Sequence, residues 1–246
     1  MSDKINLVNG NIITMDSVCP TAESISIESG KIAGINSIDH NYGTFDLKGA
    51  TVIPGFVDSH FHLVNLGKQK DTLNLRQCKS PKEIARQVLQ KSKELNENDW
   101  IIGFGWDHTK WNESKFPTEN ILNDLEIAQP VMLTRIDGHS CWVNQHAMHI
   151  SGLDVSLEAP KGGDIINNCI LIDNAMNPVQ FVIPKPSENK IKKWIKLAMD
   201  IIIPRGITNI HDAWQDPITV KVLQDLANNN SLPIRVYGML GSSYPK

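Results

Sequence analysis

Several things are scarce in these 246 residues. Four cysteines, Cys19, Cys78, Cys141 and Cys169, stand far apart and form no Cys-x-x-Cys pair. That excludes cysteine-based zinc or redox motifs and a disulfide scaffold, so all four are expected as reduced thiols. No apolar run approaches the ~18 residues of a membrane span, and the tightest cluster, Ile201 to Ile203, stops at Pro204. Positive charge is not in excess: 24 Lys and Arg face 27 Asp and Glu, for a net charge of −3. This argues against a nucleic-acid or anionic-membrane partner, which would select a basic patch. The opening residues, Met1 to Asn6, carry no apolar leader and no small-residue cleavage site. There is no internal repeat and no low-complexity tract. What remains is 41% hydrophobic and 21% charged, ordinary for a chain with a packed core. The expectation is a soluble, cytosolic protein with neither nucleic acid nor membrane as partner.

Residues 4 to 57 read as short strands punctuated by turns. Ile5-Asn6-Leu7-Val8 runs into Asn9-Gly10 and returns as Ile12-Ile13-Thr14; Asn-Gly is a strong hairpin signal because both turn positions need positive φ. Ser24 to Ile27 and Lys31 to Ile35 follow, so a small antiparallel sheet is expected, too short to bury both faces by itself. From residue 80 the pattern changes. Ser80-Pro81-Lys82-Glu83 is a capping box with proline at the first helical position, continued by Ile84, Val88 and Leu95. Ile101 to Trp106 and Pro130 to Arg135 read as buried strands, and residues 152–186, rich in Gly, Asn and Pro, as an irregular β-rich excursion. Ser187 opens a helix whose apolar face holds Ile191, Trp194, Ile195, Ala198 and Ile202, ended by Gly206. Ile207 to His211 is a strand, Asp216-Pro217 caps another helix, and Ile234 to Leu240 is a further strand. Strands alternating with helices imply βα units and a parallel sheet.

The most informative segment is Pro54-Gly55-Phe56-Val57-Asp58-Ser59-His60-Phe61-His62. Residues two apart on a strand share a face, so His60 and His62 present both imidazoles to one side while Phe61 packs the other. Imidazole suits zinc, nickel or iron. Spacing alone is a weak signal: 8 histidines in 246 residues give about 0.26 such pairs by chance. Two partly buried structural histidines are the competing reading of the bare pattern.

Pro-Gly-Phe-Val-Asp-Ser-His-Phe-His resembles the first-strand signature of the metal-dependent amidohydrolase superfamily. Gly103-Phe104-Gly105-Trp106-Asp107-His108-Thr109-Lys110-Trp111 and Arg135-Ile136-Asp137-Gly138-His139-Ser140-Cys141-Trp142-Val143-Asn144 are similar to its amidohydrolase-3 (YtcJ-like, N-substituted formamide deformylase-like) group. Gly206 to Asp212 is similar to the second barrel strand. The resemblance implies an α/β fold: about strands 1–3 of an incomplete (β/α)8 TIM-type barrel over 56–246, a large insertion after strand 1 at about 68–203, and a composite, urease-like β-sandwich portion over 1–55. It also implies hydrolysis of an amide-like carbon–nitrogen bond by metal-activated water, with His60 and His62 as metal ligands. The metal would be divalent, zinc first and nickel or iron as alternatives.

The same resemblance implies further ligands, a carboxylated Lys, two histidines and an Asp, on strands four, five, six and eight. At roughly 31 residues per unit, five more units need ~155 residues, and zinc catalysis asks for three protein ligands plus water. The expectation is therefore that no catalytic residue lies within this chain and that the isolated chain does not retain its metal. It would be a truncated, inactive product, or half of a split hydrolase that needs a complementary C-terminal chain, or it would form a homo-oligomer. Apolar faces around Ile25, Ile27 and Ile32 are expected to lie uncovered.

Trp106, Asp107 and Trp111 are candidates for an aromatic and acidic wall over a small amide-like substrate, against packed tryptophans at a strand end. Asp137, His139 and Asn144 are candidates for the same pocket, although Asp-Gly is also a plain turn signal. His146 and His149 read as a solvated helix face, His211-Asp212 as structural or supporting, and Lys190, Lys192, Lys193 and Lys196 as the solvated face of their helix.

Overall fold

The computed structural model describes residues 4–117, 120–153 and 159–241. Within it the chain divides into two compact units: residues up to Ser59 with Arg205–His211 and Pro233–Tyr237, and His60–Pro204 with Asp212–Leu232 and the residues from Gly238 on.

The first unit is built from short strands: β1 (Lys4–Val8), β2 (Asn11–Ile13), β3 (Thr21–Ala22), β4 (Ile25–Glu28), β5 (Lys31–Ile35), β6 (Gly43–Asp46) and β7 (Thr51–Val52). They form two sheets, not one, ordered β5-β4-β1-β6 and β3-β2-β7. Both are mixed, since β1–β6 and β2–β7 pair in parallel. The expected Asn9-Gly10 hairpin does not form. Only Asn9 takes positive φ, at 55°, and the Gly10 N–H goes to the Glu23 carbonyl. A Cβ on Gly10 would stand 2.3 Å from the Leu47 side chain, so glycine is needed for a close approach while the chain passes from one sheet to the other. Ile12, Ala22 and Ile25 form the shared core, with Leu7, Ile27, Ile35, Leu47 and Val52 against it. Ile25 is thus covered, contrary to expectation, whereas Ile32 is exposed.

Next come β8 (Phe56–Phe61), α1 (Leu63–Asp71), β9 (Leu73–Asn74), α2 (Pro81–Ser92), β10 (Ile101–Trp106), β11 (Val131–Arg135), β12 (Ser140–Val143), α3 (Gln145–Ile150), β13 (Gly163–Ile166), β14 (Ile170–Asp173), α4 (Asn177–Val182), α5 (Glu188–Ile202), β15 (Ile207–Gln215), α6 (Pro217–Asn228) and β16 (Arg235–Leu240). A six-stranded mixed sheet runs β13-β14-β12-β11-β10-β9, with β9, β10 and β11 parallel and the remaining pairs antiparallel. Both faces are buried, and strand alternation sorts the side chains. Val131, Leu133, Trp142 and Ile170 join Ile84, Val88, Trp106 and Trp111 in one cluster, while Met132, Cys141, Val143 and Leu171 join Met148 and Val179 in another. The Gly-, Asn- and Pro-rich stretch holds β13, β14 and α4; residues 154–158 of it lie outside the described residues.

The capping signals hold. Ser80, Ser187 and Asp216 each accept the backbone N–H three residues on, and Pro81 and Pro217 stand in the first turns. Helix α1 packs on α5 so closely that a Cβ on Gly67 would come within 1.8 Å of the Trp194 backbone oxygen. The lysines of α5 are not simply solvated: Lys190 and Lys193 both pair with the buried carboxylate of Asp71.

A third sheet has the order β16-β15-β8. Its strands run in the same direction. The Phe56 N–H donates to the Gly206 carbonyl at their starts and the Leu63 N–H to Asp212 at their ends; likewise the Gly241 N–H meets the Gln215 carbonyl.

Candidate functional site

Strand β8 delivers two histidines to one place at its carboxyl end. The His60 and His62 ring centroids are 5.1 Å apart and their planes stand at 89°; residues two apart in extended backbone share a face, which brings the two rings to the same side. His62 occupies the N-cap position of α1, but its own side chain caps nothing. That office falls to Asp212 on β15, whose Oδ1 accepts the Leu63 N–H at 3.0 Å. Asp212 is fully buried, and its Oδ2 has no hydrogen-bond partner. Burial pushes its carboxyl above the ordinary range, opposed by the Leu63 N–H and by His62. Beyond it Trp214 stacks on His62, centroids 5.7 Å apart at 20°. His211, in the first unit, places its ring against Tyr237.

Two imidazoles and a neighbouring carboxylate have the donor chemistry of a divalent d-block ion. Among the described residues, however, no group of three His, Cys, Asp or Glu is arranged to hold a metal. Among the described residues, His60 and His62 are the two imidazoles that this strand end brings together.

A second polar cluster lies where β10 and β11 end. Asp107 caps a 3-10 turn (His108–Lys110), accepting from the Thr109 N–H at 3.1 Å and hydroxyl at 2.7 Å. The Thr109 bonds hold its carboxyl below the ordinary range against burial, helped by Lys110 and Arg135. Arg135 binds Asp137 and stands 3.8 Å from Asp107. Asp137 accepts the His139 N–H at 3.1 Å, and His139 Nδ1 meets Asp173 Oδ1 at 2.9 Å, which raises the His139 pKa. Asp107, Asp137 and His139 are therefore brought together, through Arg135 and Asp173.

The other three candidates are placed in the interior. Trp106 is fully buried, donating its Nε1–H to the Leu133 carbonyl at 2.7 Å and stacking on Trp111. Trp111 donates to the Cys78 carbonyl at 3.1 Å. Asn144 caps α3, accepting from the Ala147 and Val131 N–H groups and donating to the Gln129 carbonyl. None of the three offers a free polar group to a ligand. His146 and His149 lie on the exposed side of α3. The residues missed by sequence reasoning are Arg135, Asp173 and Trp214. Arg135 had a signal, since it opens the Arg-Ile-Asp-Gly-His segment; Asp173 and Trp214 had none.

The family model described as the amidohydrolase family matches residues 43–244. The chain is 30% identical over 219 residues to the protein LONG AFTER FAR-RED 3 of Arabidopsis thaliana, covering 84% of this chain and 37% of that one. It is 28% identical over 254 residues to the putative amidohydrolase YtcJ of Bacillus subtilis, covering 96% and 46%. The solved structure of an uncharacterized metal-dependent hydrolase from Pyrococcus horikoshii superposes with a TM-score of 0.77 at 23% identity, covering 96% of this chain and 48% of that one. The chain thus spans less than half the length of these relatives.

Proposed function

This chain belongs to the amidohydrolase family, and on that premise we propose that it supplies two histidine ligands, His60 and His62, to a divalent-metal centre that hydrolyses a carbon–nitrogen bond in a small amide-like substrate. The observation that carries this reading is the pair of imidazoles held 5.1 Å apart at the carboxyl end of a parallel strand, the end at which barrel enzymes gather their chemistry. When bound, such a metal lowers the pKa of water toward neutrality and polarises a carbonyl.

The chain's own residues then have distinct work. His60 and His62 donate ring lone pairs, with zinc the first choice and nickel or iron the alternatives. Asp212 anchors the start of α1 and so fixes where His62 sits. Asp107, Asp137 and His139 offer hydrogen bonds to substrate from the cluster that Arg135 ties together. In this reading β8, β15 and β16 are the first strands of a (β/α)8 barrel, β9 to β14 belong to an insertion, and β1 to β7 are part of a β-sandwich. Their parallel order supports the first point, and the shared core of the two small sheets supports the last. No helix among the described residues is long and apolar enough to cross a membrane; a cytosolic setting belongs to the same proposal.

The missing ligands favour a companion reading, in which the centre is completed by polypeptide outside the described residues, in the same chain or in a partner. Two observations support it: among the described residues no group of three His, Cys, Asp or Glu is arranged to hold a metal, and the chain spans under half of its relatives.

Metal analysis after gel filtration tests the proposal. The purified chain should hold less than one zinc ion, should lose it on His60→Ala or His62→Ala, and should have no amidase activity alone. Zinc bound indifferently to both substitutions would overturn the ligand assignment.

A further inference from the structure

Trp214 is held at φ 57° within β15. Left-handed backbone inside a strand is a bulge position that glycine fills freely and a bulky aromatic occupies only with strain. Burial does not compensate for that strain, because the Trp214 side chain is 77% exposed. Its one ring contact among the described residues is the near-parallel stack on His62. A residue that is strained, large, apolar and exposed is not explained by the stability of the fold, and strain of this kind gathers where function requires it.

One face of the indole rests on His62. The opposite face meets no other ring among the described residues, and the indole as a whole stands next to His62, whose ring is 5.1 Å from that of His60. We propose that Trp214 is a specificity-determining residue: a platform on which a planar apolar substituent of the substrate, an aryl group or flat acyl group, stacks while its amide reaches the histidines. Indole offers wide, rigid contact area at small conformational cost, and offset stacking favours flat partners. A cationic substituent is disfavoured, since a divalent ion on His62 would put like charge beside it. This inference rests on the metal reading for the direction of the amide and not for the stacking itself.

Trp214→Gly, Trp214→Phe and Trp214→Leu variants of the full chain separate the two. Binding of benzamide and of acetamide is followed by NMR in zinc buffer and again in EDTA, together with thermal unfolding. The parent should bind benzamide at least fivefold more tightly than acetamide. Phenylalanine should keep most of that ratio, leucine should lower it, and glycine should bring it near one. The glycine variant should also unfold at or above the parent temperature, because a strained side chain has been removed. A structural tryptophan would behave oppositely, and a clear fall in unfolding temperature on Trp214→Gly overturns the proposal. So does a benzamide preference that survives in the leucine and glycine variants. If the parent's benzamide preference is lost in the glycine variant but persists in EDTA, and zinc ignores both histidines, the platform stands and the metal reading fails. If zinc requires both histidines but no benzamide preference exists, the platform alone fails.

Discussion

Asp212 and Leu63, 149 residues apart in sequence, meet through one hydrogen bond in which the Asp212 Oδ1 accepts the Leu63 backbone N–H at 3.0 Å. A helix start leaves four orphan N–H groups, and at α1 no side chain of the N-cap residue answers them. Asp212→Ala should therefore strand a buried donor and cost about 2 kcal/mol. Asp212→Asn keeps an acceptor oxygen and should cost less than half as much. Urea unfolding of the two variants against the parent measures both.

Asp71 ties α1 to α5. Its carboxylate is bound by Lys190 at 2.7 Å, by Lys193, and by the Trp194 Nε1–H at 2.9 Å. Burial alone would raise its pKa, but those three donors together pull it far below the ordinary value. A depressed carboxylate stabilises the fold fully above its unfolded value of about 3.9, and that contribution is lost as pH falls through the folded value. Both lysines remain half-exposed, so Asp71→Asn should cost only about 1–2 kcal/mol at pH 7. The gap between parent and variant should be constant from pH 6 to 8 and narrow below about pH 4, read from unfolding midpoints across pH. A gap that widens on acidification would contradict the assignment.

The parts of the fold legible in the sequence are those decided within a few residues. Ser80-Pro81, Ser187 and Asp216-Pro217 set helix starts because the cap oxygen reaches an N–H three residues on, whatever the rest of the chain does. Strands buried on both faces were equally readable at Ile101 to Trp106 and Val131 to Arg135. Asn9-Gly10 misled because its local turn preference lost to a distant bond, Gly10 N–H to the Glu23 carbonyl. The lysines of α5 misled for the same reason, since Asp71 is over a hundred residues away. At the candidate site, the histidine spacing was visible. Trp214 was not, because a tryptophan at positive φ runs against every local preference and the strand was expected to finish at His211. Asp173 was equally hidden, reaching His139 only through the pairing of β12 with β14.

Asn144 and His139 were candidates for the same pocket, and the structure gives them opposite burdens. Asn144 is buried and serves three backbone groups, two N–H donors and one carbonyl. Asn144→Ala should cost about 2–3 kcal/mol through the lost cap and the stranded Val131 N–H. His139 is exposed, so His139→Ala should leave the unfolding midpoint almost unchanged. If the His139 substitution proves the more destabilising of the two, the division between a supporting asparagine and an available histidine fails.

Among the described residues, the three-stranded sheet ordered β16-β15-β8 leaves β16 and β8 with one strand neighbour each. Unpaired strand backbone is a template for another chain unless charge, proline or a covering element blunts it. Here the blunting is slight. Phe56 and Val57 on β8 and Tyr237 and Leu240 on β16 are more than half exposed, and β8 carries a single acidic residue, Asp58, with no lysine. Exposed strands rich in aromatic and β-branched side chains favour pairing between chains. The chain by itself should therefore associate at micromolar concentration, eluting from gel filtration above the size of a 27.4 kDa monomer. Val57→Lys and Tyr237→Lys place charge on the two edges and should shift the chain toward monomer without lowering its unfolding midpoint by more than about 1 kcal/mol equivalent, as expected for exposed sites. A parent chain that runs as a clean monomer and unfolds cooperatively would show that both edges are already protected, and would remove the reason to expect further strands against them.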